Sequence, residues 1–354
     1  MMKSYFRPEI DALAGYTPGE QPKLRRLVKL NTNENPYPPS PRAMEAIRAL
    51  SGESLRRYPD PAADALCKAV AERYGVGRNQ VIAGNGSDDI LTMVFRAFTA
   101  PDRPVAVLDP SYSLYPILAA MQGAPVIRIP LAGDDFALPE DILEQAKGAN
   151  FLAIVRPNAP TGTLFPKEDM RKICAGFDGM VMIDEAYADF AADDCMDLVK
   201  EFPNLVVSRT FSKSYAFAGM RLGYAVSSPE VIYGLGKLKD SYNVDAVAQA
   251  AGLAAFEDVD YFHQTLQAIR RDREDLRKKL QALGFKIVPS EANFLFAAPP
   301  DGDGEGYFRY LRENAVIVRY FPGPVTGSYV RITIGTPEQN AELLALTATR
   351  YQKA

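Results

Sequence analysis

The stretch "NLVVSRTFSKSYAFAGMR" (residues 204–221) opens as an apolar, β-branched run and ends in a lysine set between two serines, followed by a glycine and an arginine. Such a run, bounded by polar residues, reads as a buried strand whose last residues emerge at the sheet edge. An earlier stretch, "MVMIDEAY" (180–187), ends in the same way on Asp184, 29 positions before Lys213 (213 − 184). One α/β crossover between two such strands lays them parallel, with both polar ends at one edge of the sheet. That edge is where open α/β sheets bind their ligands.

Working outward, "QVIAG" (80–84), "PVAVLDP" (104–110), "APVIRIP" (124–130) and "FLAIVRP" (151–157) are further strand candidates. Helical spacing fills the intervals in "ADALCKAVAERYG" (63–75), "DDILTMVFRAF" (88–98) and "PKEDMRKICAGF" (166–177). Strands alternating with helices imply a largely parallel sheet covered on both faces. After residue 245 one long helical stretch, through roughly Lys279, leads to "FKIVPS", "NFLFAAP", "AVIVRYF" and "YVRITIG" around a further helix, a smaller α+β pattern. The first 35 residues, rich in Pro and Asn ("NTNENPYPPSP"), read as an extended arm.

Composition narrows the chemistry. At 354 residues, 47% apolar and 24% charged, the chain is expected to form two globular domains. It contains no apolar run of the ~20 residues that span a bilayer, and "MMKSYFRPEI" lacks a signal-peptide core, so a cytoplasmic location is expected. A net charge of −4 with interspersed signs offers no broad basic face for nucleic acid. Cys67, Cys174 and Cys195 fit no zinc or redox spacing, and no metal site is expected. His263 is the sole histidine and sits in a helical stretch, which disfavours Ser-His or Cys-His hydrolase chemistry and multi-histidine zinc sites.

Four polar groups fall at strand ends. In "AGNGSDDIL", Gly86, Ser87 and Asp88 open a helix whose free N–H groups favour phosphate. Asp184 is a carboxylate partly withdrawn from water, which calls for a facing donor or cation. Lys213, desolvated and beside Arg221, becomes a nucleophilic amine, while Thr210, Ser212 and Arg221 are groups that hold phosphate. "RPNAPTG" is a rigid loop after another strand. An amine for an aldehyde, a carboxylate for a pyridine nitrogen and a phosphate site together match pyridoxal 5'-phosphate.

With these motifs in order, joined by "GYTPGEQP", "RRYPDP", "GNGSDD" and "PSYSLY", the chain resembles the fold-type I pyridoxal-phosphate-dependent aminotransferases. Within them it is similar to the branch acting on histidinol phosphate. The resemblance implies a large domain (36–245) with a mostly parallel seven-stranded sheet, and a smaller α+β domain (246–354) completed by an N-terminal arm (1–35). It further implies that Lys213 bonds the cofactor and shuttles a proton, that Asp184 holds the pyridine nitrogen protonated, and that Tyr187 bonds the phenolate oxygen. Tyr112 would stack on the ring. Gly86, Ser87, Asp88, Thr210, Ser212 and Arg221 would hold the phosphate, joined by Tyr58 from the partner of a homodimer with shared sites. Where the family has Asn before Pro-Thr-Gly, this chain has Ala159, so either Asn158 reaches the ring or Tyr187 makes that contact alone. Arg331, Arg319, Tyr16 and Asn243 would contact substrate.

The activity so implied is amino transfer between L-histidinol phosphate and 2-oxoglutarate, in histidine biosynthesis, by ping-pong exchange through pyridoxamine phosphate. An aromatic amino acid aminotransferase and a threonine-phosphate decarboxylase are the alternatives that keep the cofactor. A pyridoxal-phosphate-binding regulator is disfavoured, because only about 35 residues of arm stand where its DNA-binding module belongs.

Overall fold

The structure, a computed structural model, describes residues 4–21 and 27–352. Parts of the expected arm, including Pro22 of "GYTPGEQP", and the last two residues lie outside the described residues. Thirteen strands are described. β1 is Val28–Lys29; β2 Val81–Gly84, β3 Val105–Asp109, β4 Val126–Pro130, β5 Phe151–Val155, β6 Met180–Asp184, β7 Leu205–Thr210 and β8 Gly223–Val226 follow. β9 Lys286–Val288, β10 Phe294–Ala298, β11 Val316–Ile317, β12 Arg319–Tyr320 and β13 Val330–Thr333 complete the set.

β2 to β8 form one sheet in the order β2-β8-β7-β6-β5-β3-β4. It is parallel except at β8, which runs antiparallel to both β2 and β7. The chain is therefore α/β with a mostly parallel seven-stranded sheet. Its central strands are near-continuous apolar runs because both faces are covered: along β5, Phe151, Ala153 and Val155 enter one hydrophobic cluster, and Leu152 and Ile154 the other. A β-strand sends successive side chains to opposite faces, so the two cores are the two sides of this sheet. The second sheet, β12-β13-β10-β9, is antiparallel, and β1 pairs with β11 on its own.

Several details depart from the sequence reading. The long helical stretch after residue 245 is two helices, Ala246–Glu257 and Val259–Ala282, parted at Asp258, whose carboxylate accepts a hydrogen bond from Ser40. "AVIVRYF" is divided at Val318, because β11 pairs with the arm while β12 joins the antiparallel sheet. Between β6 and β7 lie two 3-10 turns, Ala188–Phe190 and Met196–Lys200, in place of an α-helical crossover. The arm itself carries a four-residue helix, Pro8–Asp11, besides the extended β1.

Candidate active site

The carboxyl ends of β5, β6 and β7, the start of the helix Ser87–Phe98 and the arm enclose a cavity of about 420 Å³. Asp184 and Lys213 both line it. Asp184 is carried inward by the apolar run of β6 and is 3% exposed. Its carboxylate accepts hydrogen bonds from Tyr115 Oη (2.9 Å), Ser208 Oγ (3.2 Å) and the Ala186 amide (3.2 Å). Burial outweighs these donors and pushes its pKa up to about 6.

Lys213 lies three residues beyond β7, and its Nζ donates to the Thr32 carbonyl at 2.9 Å. Burial lowers its pKa to about 8, helped next by the Arg331 guanidinium, with Arg221 the weaker cation. The cationic neighbour that matters most is thus Arg331, on β13, rather than Arg221 of the lysine motif. An amine near 8 has a substantial unprotonated fraction close to neutral pH, as a nucleophile requires.

Of the expected phosphate-holding groups, Ser87, Asp88, Thr210, Ser212 and Arg221 line the cavity. Gly86 caps the helix Ser87–Phe98 at φ +84, and a Cβ there would come within 2.6 Å of Arg221 Nη2. The glycine therefore lets the arginine close over the helix N-terminus, where unpaired N–H groups favour anions. Arg221 Nη1 donates to Ser212 Oγ (3.3 Å), and its Nη2 pairs with Asp88 Oδ2 (3.0 Å). Asp88 thus holds the arginine with its carboxylate and also accepts from Tyr112 Oη (3.3 Å). Thr210 Oγ1 accepts from the Ser212 amide (3.1 Å), fixing the bend that aims both side chains.

Arg331, Arg319 and Tyr16 are in the cavity lining as well. Arg331 lies over Phe294 and Phe321, at 5.2 and 5.3 Å from the ring centres, and donates from Nη2 to the Asn31 carbonyl (2.9 Å). Its Nε is buried without a partner. Arg319 donates to the carbonyls of Pro18 (3.2 Å) and Thr17 (3.1 Å), which ties the arm beside the cavity. Tyr16 meets Tyr112 edge to face at 6.2 Å.

Two expected residues, Asn158 and Asn243, are placed elsewhere, and Tyr58, expected to act on a second subunit, lies outside this chain's own cavity lining. Asn158 does not line the cavity; its Nδ2 donates to the Pro110 carbonyl (3.1 Å) and to Thr161 Oγ1 (2.9 Å), and Ala159 and Pro160 face the space instead. Asn243 is also outside the lining, bonded to the Ala83 carbonyl (3.1 Å) and Asp89 Oδ2 (2.8 Å), where it braces β2 against the helix start. Tyr58 is 80% exposed and stacks on Tyr242 at 4.3 Å. Conversely, Tyr115, Ser208, Thr32 and Asn33 were not singled out. Tyr115 follows Tyr112 by three residues in a helical turn and Ser208 is the polar residue of β7, which are weak signals; the Asn-rich arm was read only as extended.

Among the described residues no group of three or more His, Cys, Asp or Glu is placed to hold a metal ion, and no helix is long and apolar enough to cross a membrane. The three cysteines are buried, and burial raises their thiol pKa values, to about 11 for Cys67 and about 12 for Cys174.

The chain is similar over nearly its whole length to known enzymes. A histidinol-phosphate aminotransferase of Syntrophotalea carbinolica is 46% identical over 343 residues, 97% of this chain and 98% of the relative. Histidinol-phosphate aminotransferase 1 of Nostoc sp. is 44% identical over 344 residues, 97% of each. The crystal structure of histidinol-phosphate aminotransferase from Sinorhizobium meliloti, in complex with pyridoxal-5'-phosphate, superposes with a TM-score of 0.89 at 24% identity, covering 99% of each chain. The family model of class I and II aminotransferases matches residues 25–346. This chain belongs to the class I and II aminotransferase family.

Proposed function

We propose that the chain moves an amino group between L-histidinol phosphate and 2-oxoglutarate with pyridoxal 5'-phosphate, in two half-reactions, one per substrate. The observation that carries this reading is one cavity lined by two sets of anion-seeking groups, Arg221 with a helix N-terminus and Arg331 with Arg319, with Lys213 and Asp184 also in its wall. The near-full-length likeness to histidinol-phosphate aminotransferases supports the choice of substrate.

The donor set fits the cofactor. Bound there, it supplies an aldehyde that takes the amine and a pyridine ring that withdraws electrons from the substrate carbon. Asp184 keeps a proton at the ring nitrogen, and a positive partner relieves the desolvation that raises its own pKa. Lys213 provides the amine and carries the proton to and from the substrate carbon. Ser87, Thr210, Ser212 and Arg221 hold the cofactor phosphate, Tyr112 covers the ring face, and Tyr187 serves the phenolate oxygen. Arg331, Arg319 and Tyr16 receive the substrate's phosphate or a carboxylate of 2-oxoglutarate, as bidentate guanidinium donors do. In this reading the large domain (36–245) holds the cofactor, and the small domain (246–354) with the arm supplies the substrate end. The exposed Tyr58 reaches the cofactor phosphate of a second subunit, and the enzyme is a cytoplasmic homodimer.

The test is kcat/KM for histidinol phosphate with 2-oxoglutarate, beside phenylalanine and O-phosphothreonine as donors, with carbon dioxide release followed. A preference for histidinol phosphate over phenylalanine, which lacks the phosphate, of about 100-fold or more, the scale of losing a charge-assisted contact, is expected. Consumption of phenylalanine or phosphothreonine in its place refutes the substrate assignment.

A further inference from the structure

Asn33 is 1% exposed, adopts the left-handed conformation (φ 55), and lies in the cavity wall with every kind of polar group it owns engaged. Its backbone N–H donates to Thr333 Oγ1 (3.0 Å), and that hydroxyl lies 3.1 Å from Asn33 Oδ1. Its carbonyl accepts from Asn293 Nδ2 (3.0 Å), and its own Nδ2 donates to Tyr187 Oη (2.9 Å).

The direction of this chain follows from one unambiguous donor. A backbone N–H can only donate, so Thr333 Oγ1 accepts there; Thr333 is buried, and among the described residues the one other hydrogen-bond contact of its hydroxyl is Asn33 Oδ1, so its proton goes to that oxygen. An amide whose oxygen is so engaged presents its NH₂ to Tyr187. The Tyr187 oxygen therefore accepts on that side, and its own proton has to point away from Asn33. Tyr187 lines the cavity, whereas β5 and the loop before Gly162 contribute only Val155, Ala159 and Pro160, none with a side-chain donor.

We propose that Asn33 is a positioning residue that makes Tyr187 a one-way hydrogen-bond donor into the cavity, toward the phenolate oxygen of bound pyridoxal phosphate. The inference rests on the function proposed above and adds a residue from the arm to its machinery. It also accounts for how a site with Ala159 in its wall, and Asn158 turned away, keeps a directed donor at that oxygen.

The experiment reads the pH dependence of the visible absorbance of the cofactor-loaded protein, which reports the proton shared between the Lys213 nitrogen and the phenolate oxygen. A donor on that oxygen favours the deprotonated side, so losing it raises the apparent pKa. Tyr187→Phe is expected to raise it by about one unit, the scale of one hydrogen bond to a charged group. Asn33→Ala is expected to shift it in the same direction, and the double variant to match Tyr187→Phe alone, since the two act as one unit. Arg331, Asp184, Tyr16, Tyr112 and Tyr115, which act on Tyr187, and Glu34, Asp88 and Arg221, which act on Lys213, are unchanged in every variant. An unshifted Asn33→Ala, or a shift that adds in full to that of Tyr187→Phe, overturns the proposal. Should Asn33→Ala not fold, Thr333→Val, which leaves Asn33 in place but unorients its amide, is expected to give a smaller rise, and no rise overturns the proposal. A parent protein that takes up no pyridoxal phosphate overturns the underlying function; normal uptake with unshifted variants overturns this inference alone.

Discussion

Replacing Asp184 with asparagine is expected to stabilise the cofactor-free protein while disabling the enzyme. The carboxylate is 3% exposed, and its pKa is raised from 3.8 to about 6, burial being the largest cause. Between those values the folded state binds more protons than the unfolded state, so stability falls as pH rises through that window and the whole cost is present above it. A rise of roughly two units, at about 1.4 kcal/mol per unit, corresponds to about 3 kcal/mol at pH 7.5. Asparagine keeps an acceptor for the Ala186 amide and Ser208, and its NH₂ faces Tyr115, whose hydroxyl turns to accept, so no buried group is orphaned. For a chain of this length, 3 kcal/mol raises the melting midpoint by about 4 °C. The assay is thermal unfolding of cofactor-stripped parent and Asp184→Asn at pH 7.5 and pH 5, where the gain is expected to fall to about half, roughly 1.5 kcal/mol. Added pyridoxal phosphate is expected to reverse the order, since only the parent offers the ring nitrogen a counter-charge. A variant less stable than the parent at pH 7.5, or a gain equal at both pH values, would refute the claim that an unpaired buried charge sits at the end of β6.

Two further substitutions test the cavity's Arg331 and the exposed tyrosine. Arg331→Ala is expected to lower kcat/KM for the phosphorylated donor by about 30- to 100-fold, from the loss of one charge-assisted anion contact, while cofactor uptake is retained; steady-state kinetics beside a cofactor titration separates the two. Tyr58→Phe is expected to weaken cofactor retention without altering the proposed dimer, read by equilibrium dialysis and sedimentation, and an active monomer would contradict a shared site.

How much of this was legible in the sequence depends on how far each residue's partners lie along the chain. The strands were readable because their apolar runs are local, and Asp184 and Lys213 were readable because each closes such a run. β8 was missed: four residues, Gly223–Val226, carry too little pattern, and its place between β2 and β7 depends on pairing rather than on periodicity. Asn33 was beyond reach for a related reason. Its contacts are with Tyr187 and Thr333, 154 and 300 residues away, and no local spacing encodes a hydrogen bond of that range.

The pair Asp184-Glu185 shows where elementary geometry does decide function. Two adjacent carboxylates end one strand, and composition alone cannot choose between them. A strand turns successive side chains to opposite faces, so only one can face the cavity. Glu185 goes the other way, fully buried against Arg209 at 2.8 Å, with the Cys195 amide donating to it at 2.6 Å. Arg209 also pairs with Asp189, which accepts from Ser214 at 2.5 Å, and Ser214 is the residue next to the lysine. The second carboxylate therefore belongs to a buried ion network beneath the loop that carries Lys213. Removing one member of such a network strands the others in a low dielectric. Asp184 and Glu185 thus contribute in opposite senses: Asp184 costs stability to serve the cavity, and Glu185 anchors the floor on which the lysine loop rests.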